Sequence, residues 1–372
     1  MKSLIIRHQQ VKTNTKYEHH LQHYFHQQTG SKIQESNKIS FPSFGDRRIV
    51  VLCGSVHQLH SWYFRRKGAL FTDSGCISSY IVVYIYRRLV QRAKPIDKYG
   101  RWCIVTGTTS GIGQAYTEYL AGKGMNLLII SRTEEKLVQQ RDELLKKYNG
   151  IKINYLVYDF TIISGDIKNK FYDNLNKECV KMDSDGGIAM LINNVGTANE
   201  IPMNLDELTE QECSDIVNCN IYSTINMTRT VIKYMKEKKN GAVISVSSGS
   251  GNHPGPFLAV YSATKAFITQ FSRSLSIEWW GSGVDFLVVT PFYISGTHLY
   301  KKKGGTLIAP MPIELVKGTF KQLGKKYVWQ GHGYWFHGFI GNFATYYWGT
   351  TARYRKMMVD NRKRYDERNK RE

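Results

Sequence analysis

The sequence predicts an α/β protein with a doubly wound parallel sheet, that is, one sheet covered by helices on both faces. Three observations predict it. From Arg101 onward, short runs rich in β-branched residues alternate with longer helical stretches, and the runs are apolar at successive positions. The first run also ends in a glycine-rich turn that leads straight into a helix. Strands apolar on both faces need cover on both faces, and alternating helices supply it. In such sheets ligands bind beyond the carboxyl ends of the strands.

The expected strands are WCIVTG, NLLIIS, INYLVYDF, IAMLINNVG, GAVISVSS and VDFLVVTP, with helical stretches that include 113–122, 134–148, 209–239 and 262–279. Together they define a catalytic body over 99–300. Ahead of it, residues 1–68 are expected to be a disordered extension, because their first 47 are polar, rich in Lys, His and Gln, and lack a sustained apolar period. Histidines 8, 19, 20, 23 and 26 of this tail are expected to stay solvated.

Residues 69–98 read as a membrane anchor and basic linker. The run ALFTDSGCISSYIVVYIY over 69–86 just reaches a membrane span, with Asp73 the residue that makes it marginal. Arg87, Arg88, Arg92 and Lys94 follow at once, so the positive-inside rule leaves the remaining chain in the cytosol. A buried core helix is the alternative, but it would be amphipathic.

After the body, residues 301–326 are expected to face the substrate and 327–372 to hold an aromatic segment and a basic tail. Residues 327–348 contain ten aromatics and no Lys, Arg, Asp or Glu. Two readings stay open for them, an interfacial or re-entrant membrane segment and an aromatic flap on the core.

The formal charge of +21 invites a nucleic-acid reading, which its distribution removes. Residues 1–100 carry +11 and 353–372 carry +5, whereas the 252 residues between them carry only +5. Basic flanks on a nearly neutral body fit a membrane surface and no nucleic-acid partner. The six cysteines form no C-x-x-C pair or metal-ligand spacing, so reduced thiols and no metal are expected.

The chemistry concentrates at the strand ends. In TGTTSGIG, Gly107, Ser110, Gly111, Ile112 and Gly113 form a turn whose missing side chains and helix N-terminus suit a pyrophosphate. Arg132, closing the second strand where a carboxylate would serve a ribose, suits a 2′-phosphate, so NADPH/NADP+ is favoured over NAD(H). Asp159 and Asn193 close the third and fourth strands, where adenine and ribose would lie.

Ser248, Tyr261 and Lys265 make the sharpest constellation. Lys265, four residues after Tyr261, shares its helix face, so an ammonium beside the phenol favours the phenolate and brings its pKa down towards the working pH. Tyr261 can then give a proton to a carbonyl oxygen that Ser248 holds.

These motifs resemble the short-chain dehydrogenase/reductases. TGTTSGIG, NNVG, a serine pair and YSATK occur in the family's order, over about residues 100–300. The resemblance implies a Rossmann-type fold with membrane-associated flanks, NAD(P) as cofactor, a homodimer, and Asn220 as the fourth catalytic residue beside Ser248, Tyr261 and Lys265. KYGRWCIVTG, GMNLLIISRTEEKL and the aromatic tail further resemble the membrane-bound branch that reduces 3-oxoacyl-CoA, or steroids, at the cytosolic face of the endoplasmic reticulum. The implied partners are an acyl-CoA or steroid substrate and the membrane. Two positions depart from the pattern: Val195 stands for an alanine, and Thr297 comes one residue late after Pro291. The last residues, RNKRE, partly resemble a dibasic retrieval signal.

Overall fold

A computed structural model describes residues 92–199, 201–297, 300–302, 304–325 and 330–339, with single positions of a C-terminal helical stretch between 356 and 367. The polar extension, the apolar run 69–86 with Arg87 and Arg88, Lys303 and the last residues all lie outside the described residues.

Seven parallel strands form one sheet in the order β3-β2-β1-β4-β5-β6-β7. They are β1 (Trp102–Thr106), β2 (Asn126–Ser131), β3 (Ile153–Val157), β4 (Ile188–Asn193), β5 (Gly241–Val246), β6 (Val284–Val289) and β7 (Gln330–Gly331). Every residue of β1, β2, β4 and β5 is buried, which is why these strands are apolar at consecutive positions. Between β1 and β4 the winding reverses direction, and the crevice outside their carboxyl ends is where such a sheet takes its ligand.

Side chains of one strand alternate between two cores. Cys103 and Val105 of β1 join Leu127 and Ile129 on one face, whereas Trp102 and Ile104 join Leu128 and Ile130 on the other. The first core is covered by α1 (Gly111–Ala121) and α2 (Glu134–Lys147). Helix α3 (Gly165–Ser184) lies on the second, α4 (Glu210–Val217) packs through Ile216 in a third cluster with Leu258 and Tyr261, and α5 (Ser223–Lys238) and α6 (Ala259–Glu278) return to the second, where α3 and α5 supply most of the apolar contacts. Leu128 has no exposed surface, so Leu128→Ala would cost about 2–5 kcal/mol through lost burial and the cavity left behind.

Local chemistry sets the helix ends. Glu134 and Glu135 open α2 while Lys146 and Lys147 close it, each charge opposing the helix dipole at its end. Thr209 caps α4: its Oγ1 accepts from the Glu212 amide, and Glu212 accepts in return from the Thr209 amide. The stretch expected as one helix over 209–239 is continuous but not uniform. Residues Asn218–Tyr222, between α4 and α5, widen into a π-turn.

The folded body does not end near residue 300. Helix α7 (Pro312–Phe320) packs on α1, with the Phe320 ring stacked 5.0 Å from Tyr119 and the Tyr116 hydroxyl 3.3 Å from Thr319 Oγ1. Within the region expected to face substrate, Ala309, Leu315, Val316, Phe320 and Leu323 are therefore core. Gln330 and Gly331 pair with Val288 and Val289 as β7, and α8 (Trp335–Phe339) follows. Within the aromatic segment, residues 330–339 pack against the body, with β7 beside β6 and His337 fully buried. Residues 340–348 lie outside the described residues. Among the described residues no helix is long and apolar enough to cross a membrane.

Candidate active site

The glycine turn between β1 and α1 is held from four directions. Gly107 and Gly111 adopt φ of +67° and +56°, the left-handed region that glycine tolerates. A Cβ on Gly113 would lie 2.0 Å from the Gly107 carbonyl oxygen, so α1 approaches the turn as closely as only glycine allows. Asn194 donates through Nδ2 to the carbonyls of Thr106 (2.9 Å) and Gly107 (3.0 Å). Thr106 Oγ1 accepts in turn from the amides of Asn194 and Val195, and Gln140 of α2 donates to the Thr108 carbonyl at 2.8 Å. Ser110 is exposed at the N-terminus of α1, with Ile112 half-buried behind it.

Arg132 stands exposed after β2 and makes no ion pair among the described residues. Asp159 is half-buried after β3 and accepts from the amide and hydroxyl of Thr161. Both charges, with that of Lys265, reach the Cys219 thiol, whose pKa burial pushes up to about 12. Asn193 is placed differently from the expectation. Its side chain turns away from the crevice, is 5% exposed, and donates to Thr228 of α5 at 2.9 Å. It ties the central strand to a helix, while its neighbour Asn194 reaches the turn.

Tyr261 and Lys265 both lie on the buried face of α6, with Lys265 Nζ 5.6 Å from the centre of the Tyr261 ring. Lys265 is 4% exposed and donates to the Val246 carbonyl at 3.0 Å. No carboxylate pairs with it among the described residues, and burial lowers its pKa to about 8. Ser248 follows β5, half-buried, and its Oγ accepts from the amide and hydroxyl of Ser250 at 3.2 and 3.0 Å.

Asn220 sits in the π-turn with no exposed surface. Its Oδ1 accepts from the Thr197 amide at 2.8 Å, and its Nδ2 donates to the Thr197 carbonyl and to Thr264 Oγ1, both at 2.9 Å. Thr264 Oγ1 donates to the Tyr261 carbonyl at 2.7 Å, so one asparagine joins the end of β4 to the helix that carries the tyrosine. A π-turn adds a residue to the helical circuit, which re-aims a side chain without ending the helix. The entrance to α6 is also fixed: Phe257 takes φ +63°, and its carbonyl accepts from Asn199 Nδ2 and the Met203 amide.

Gly296, just before Thr297, turns the chain with φ +71°. Thr297 still reaches the glycine turn: its methyl lies 3.4 Å from where a Gly111 Cβ would be, although its hydroxyl donates to the Ile294 carbonyl. Val195 fits by packing on Gly107, whose Cβ would meet the Val195 backbone at 2.9 Å. Nothing local in the sequence makes Asn194, Thr106 and Gln140 a turn clamp, because their partners are distant in sequence. The NNVG run was the one available signal.

The residues present fit a dinucleotide. Side chains are excluded at Gly107 and Gly113, the α1 N-terminus offers donors, and among the described residues the Lys265 ammonium has no acidic partner that would neutralise it.

The family described as short chain dehydrogenase matches residues 101–306. The inactive hydroxysteroid dehydrogenase-like protein 1 of Homo sapiens is 38% identical over 235 residues, covering 63% of this chain and 68% of its own. The very-long-chain 3-oxoacyl-CoA reductase of Macaca fascicularis is 34% identical over 244 residues, covering 65% and 74%. A solved structure from work on 7β-hydroxysteroid dehydrogenase stereoselectivity shares the fold, with a TM-score of 0.59, 23% identity and coverage of 71% of this chain and 98% of that one. The chain therefore belongs to the short-chain dehydrogenase family, oxidoreductases whose fold binds NAD(P), in the branch that contains the very-long-chain 3-oxoacyl-CoA reductases.

Proposed function

We propose that the chain is an NADPH-dependent reductase that converts a 3-oxoacyl-CoA to the 3-hydroxyacyl-CoA in long-chain fatty-acid elongation. The single observation that carries this is the placement of Tyr261, Lys265 and Asn220 in one buried cluster, with Ser248 at the end of the adjacent strand. Relatives named very-long-chain 3-oxoacyl-CoA reductase support the choice of substrate. Arg132, exposed where a 2′-phosphate would be recognised, supports NADPH over NADH.

When bound, NADPH supplies hydride to the carbonyl carbon. Tyr261 gives the proton to the carbonyl oxygen, and the nearby Lys265 ammonium makes that phenol a better acid. Ser248 holds the same oxygen by a hydrogen bond. Asn220 keeps α6 in register with the end of β4, so that the phenol and the ammonium stay on one side of the crevice.

We also propose that the protein works at the endoplasmic-reticulum membrane with this body facing the cytosol. The apolar run over 69–86 and the arginines after it support this orientation. A steroid or retinoid carbonyl is the second reading, because the same residues would serve it. Lys301 and Lys302, both exposed, favour a phosphate-bearing substrate. One relative is named inactive, yet Tyr261 and Lys265 are both present here.

Membranes carrying full-length Tyr261→Phe should lose NADPH-dependent reduction of a long-chain 3-oxoacyl-CoA, and undiminished turnover would remove the mechanism. Reversing the charges of Lys301, Lys302 and Lys303 to glutamate should raise KM for the acyl-CoA but not for a steroid. Equal effects on both would remove the preference for acyl-CoA.

A further inference from the structure

Thr290 to Thr297, the segment that leaves β6, spans the two halves of the site. At one end the Gly249 amide, next to Ser248, donates to the Pro291 carbonyl at 2.7 Å, and a Cβ on Gly249 would lie 2.6 Å from the Phe292 ring. At the other end the Thr297 methyl faces Gly111, 3.4 Å from where a Cβ would stand. Whatever fixes this segment fixes the distance between the catalytic serine and the glycine turn.

Part of the segment holds itself: Ser295 Oγ donates to the carbonyls of Gly304 and Ala309, and the Ser295 amide to that of Pro310. The Phe292 amide is held instead from the C-terminal segment, by His337 Nδ1 at 3.3 Å. An amide can only donate, so Nδ1 accepts and the ring proton resides on Nε2, which donates to the Ile308 carbonyl at 2.9 Å. His337 is fully buried and lies edge-on to Phe292, with ring centres 5.6 Å apart. A side chain that only filled space would make neither hydrogen bond. This one joins the β6 segment to the 304–311 loop through both nitrogens.

We propose that His337 is a positioning residue for the dinucleotide site, setting the 290–297 segment between Ser248 and the glycine turn and making the C-terminal segment part of the active-site frame. This rests on the reading that the crevice binds NADPH. His332, in the loop after β7, reinforces the same segment, with Nδ1 3.1 Å from the Thr290 carbonyl and 3.2 Å from its hydroxyl.

The test uses the full-length protein with His337→Leu, His337→Phe, which keeps a ring without either hydrogen bond, and His337→Gln, whose amide can accept from Phe292 and donate to Ile308. Hydrogen exchange at the Phe292 amide is measured without cofactor, and NADPH affinity by its fluorescence. In the Leu and Phe variants exchange should quicken by about tenfold or more and NADPH should bind about tenfold more weakly, the size of one lost hydrogen bond. His337→Gln should keep both near wild type. Unchanged exchange in the Phe variant, or faster exchange with unchanged NADPH affinity, would overturn the proposal. A wild-type chain that bound no NADPH would count against the dinucleotide reading itself, and the exchange rates alone would then judge the hold of His337 on the segment.

Discussion

Lys265 Nζ and Asn220 Oδ1 converge on Gly196: a methyl group built there would sit 3.1 Å from the first and 3.0 Å from the second. The end of the NNVG run is thus a gap kept open for two polar atoms. Gly196→Ala should displace one or both by a few tenths of an ångström while leaving the sheet intact. Turnover is expected to fall about tenfold, equivalent to about 1.4 kcal/mol in the barrier, with a melting temperature close to wild type. A variant with normal turnover would show that the site tolerates the crowding.

Asn220 has a larger structural burden than its place in the reaction implies. Asn220→Ala leaves the Thr197 amide and carbonyl without their side-chain partner and removes a bond to Thr264. With Thr264 buried and Thr197 part-buried, the variant should lose about 1–3 kcal/mol of stability, read from urea denaturation. A loss below about 0.5 kcal/mol would show that water or a shifted side chain replaces the amide.

Lys265 links stability to alkaline pH. Its folded pKa is depressed, to about 8 from an unfolded 10.5, so the unfolded chain binds more protons between those values. The cofactor-free protein should therefore gain stability as pH rises from about 8 to 10.5, and lose it again as pH falls back through 8. Lys265→Met should be more stable than wild type at pH 7, by an amount on the order of 3 kcal/mol at most, and the gap should narrow at higher pH. Denaturation curves at pH 7 and 9.5 test this, and a constant gap would contradict it.

Arg132→Asp should separate the two nicotinamide cofactors. Removing a charge-assisted bond to a 2′-phosphate and adding a carboxylate for a ribose hydroxyl should raise KM for NADPH by about 10–100-fold, with NADH unaffected or improved. An equal loss with both cofactors would mean that Arg132 serves the fold or the shared part of the dinucleotide.

Much of this site is legible in the sequence because its parts are local. Tyr261 and Lys265 share a helix face through their spacing alone, and six strands are readable because burial on both faces forces apolar residues at successive positions. What escapes is set by distant partners. Nothing in IVNCNIYS marks a π-turn, so 209–239 reads as one regular helix. β7 is two residues long, one of them glycine, and carries no strand signal at all. His337 sits among aromatics and glycines that suit a membrane interface as well as a flap, and only its bonds to Phe292 and Ile308 separate the two. Asn193 and Asn194 are adjacent and identical in type, yet the last residue of β4 turns to a helix and the one just past the strand to the glycine turn.

The brevity of β7 bears on how the protein can be handled. A fragment trimmed before Gln330, the natural choice for removing an aromatic tail, would take the outer partners from Val288 and Val289 and so extend the open backbone edge to the end of β6. An apolar, β-branched edge of that kind recruits strands from other molecules. Such a fragment should aggregate through its sixth strand, and a soluble catalytic body should instead be sought by keeping the chain through residue 339.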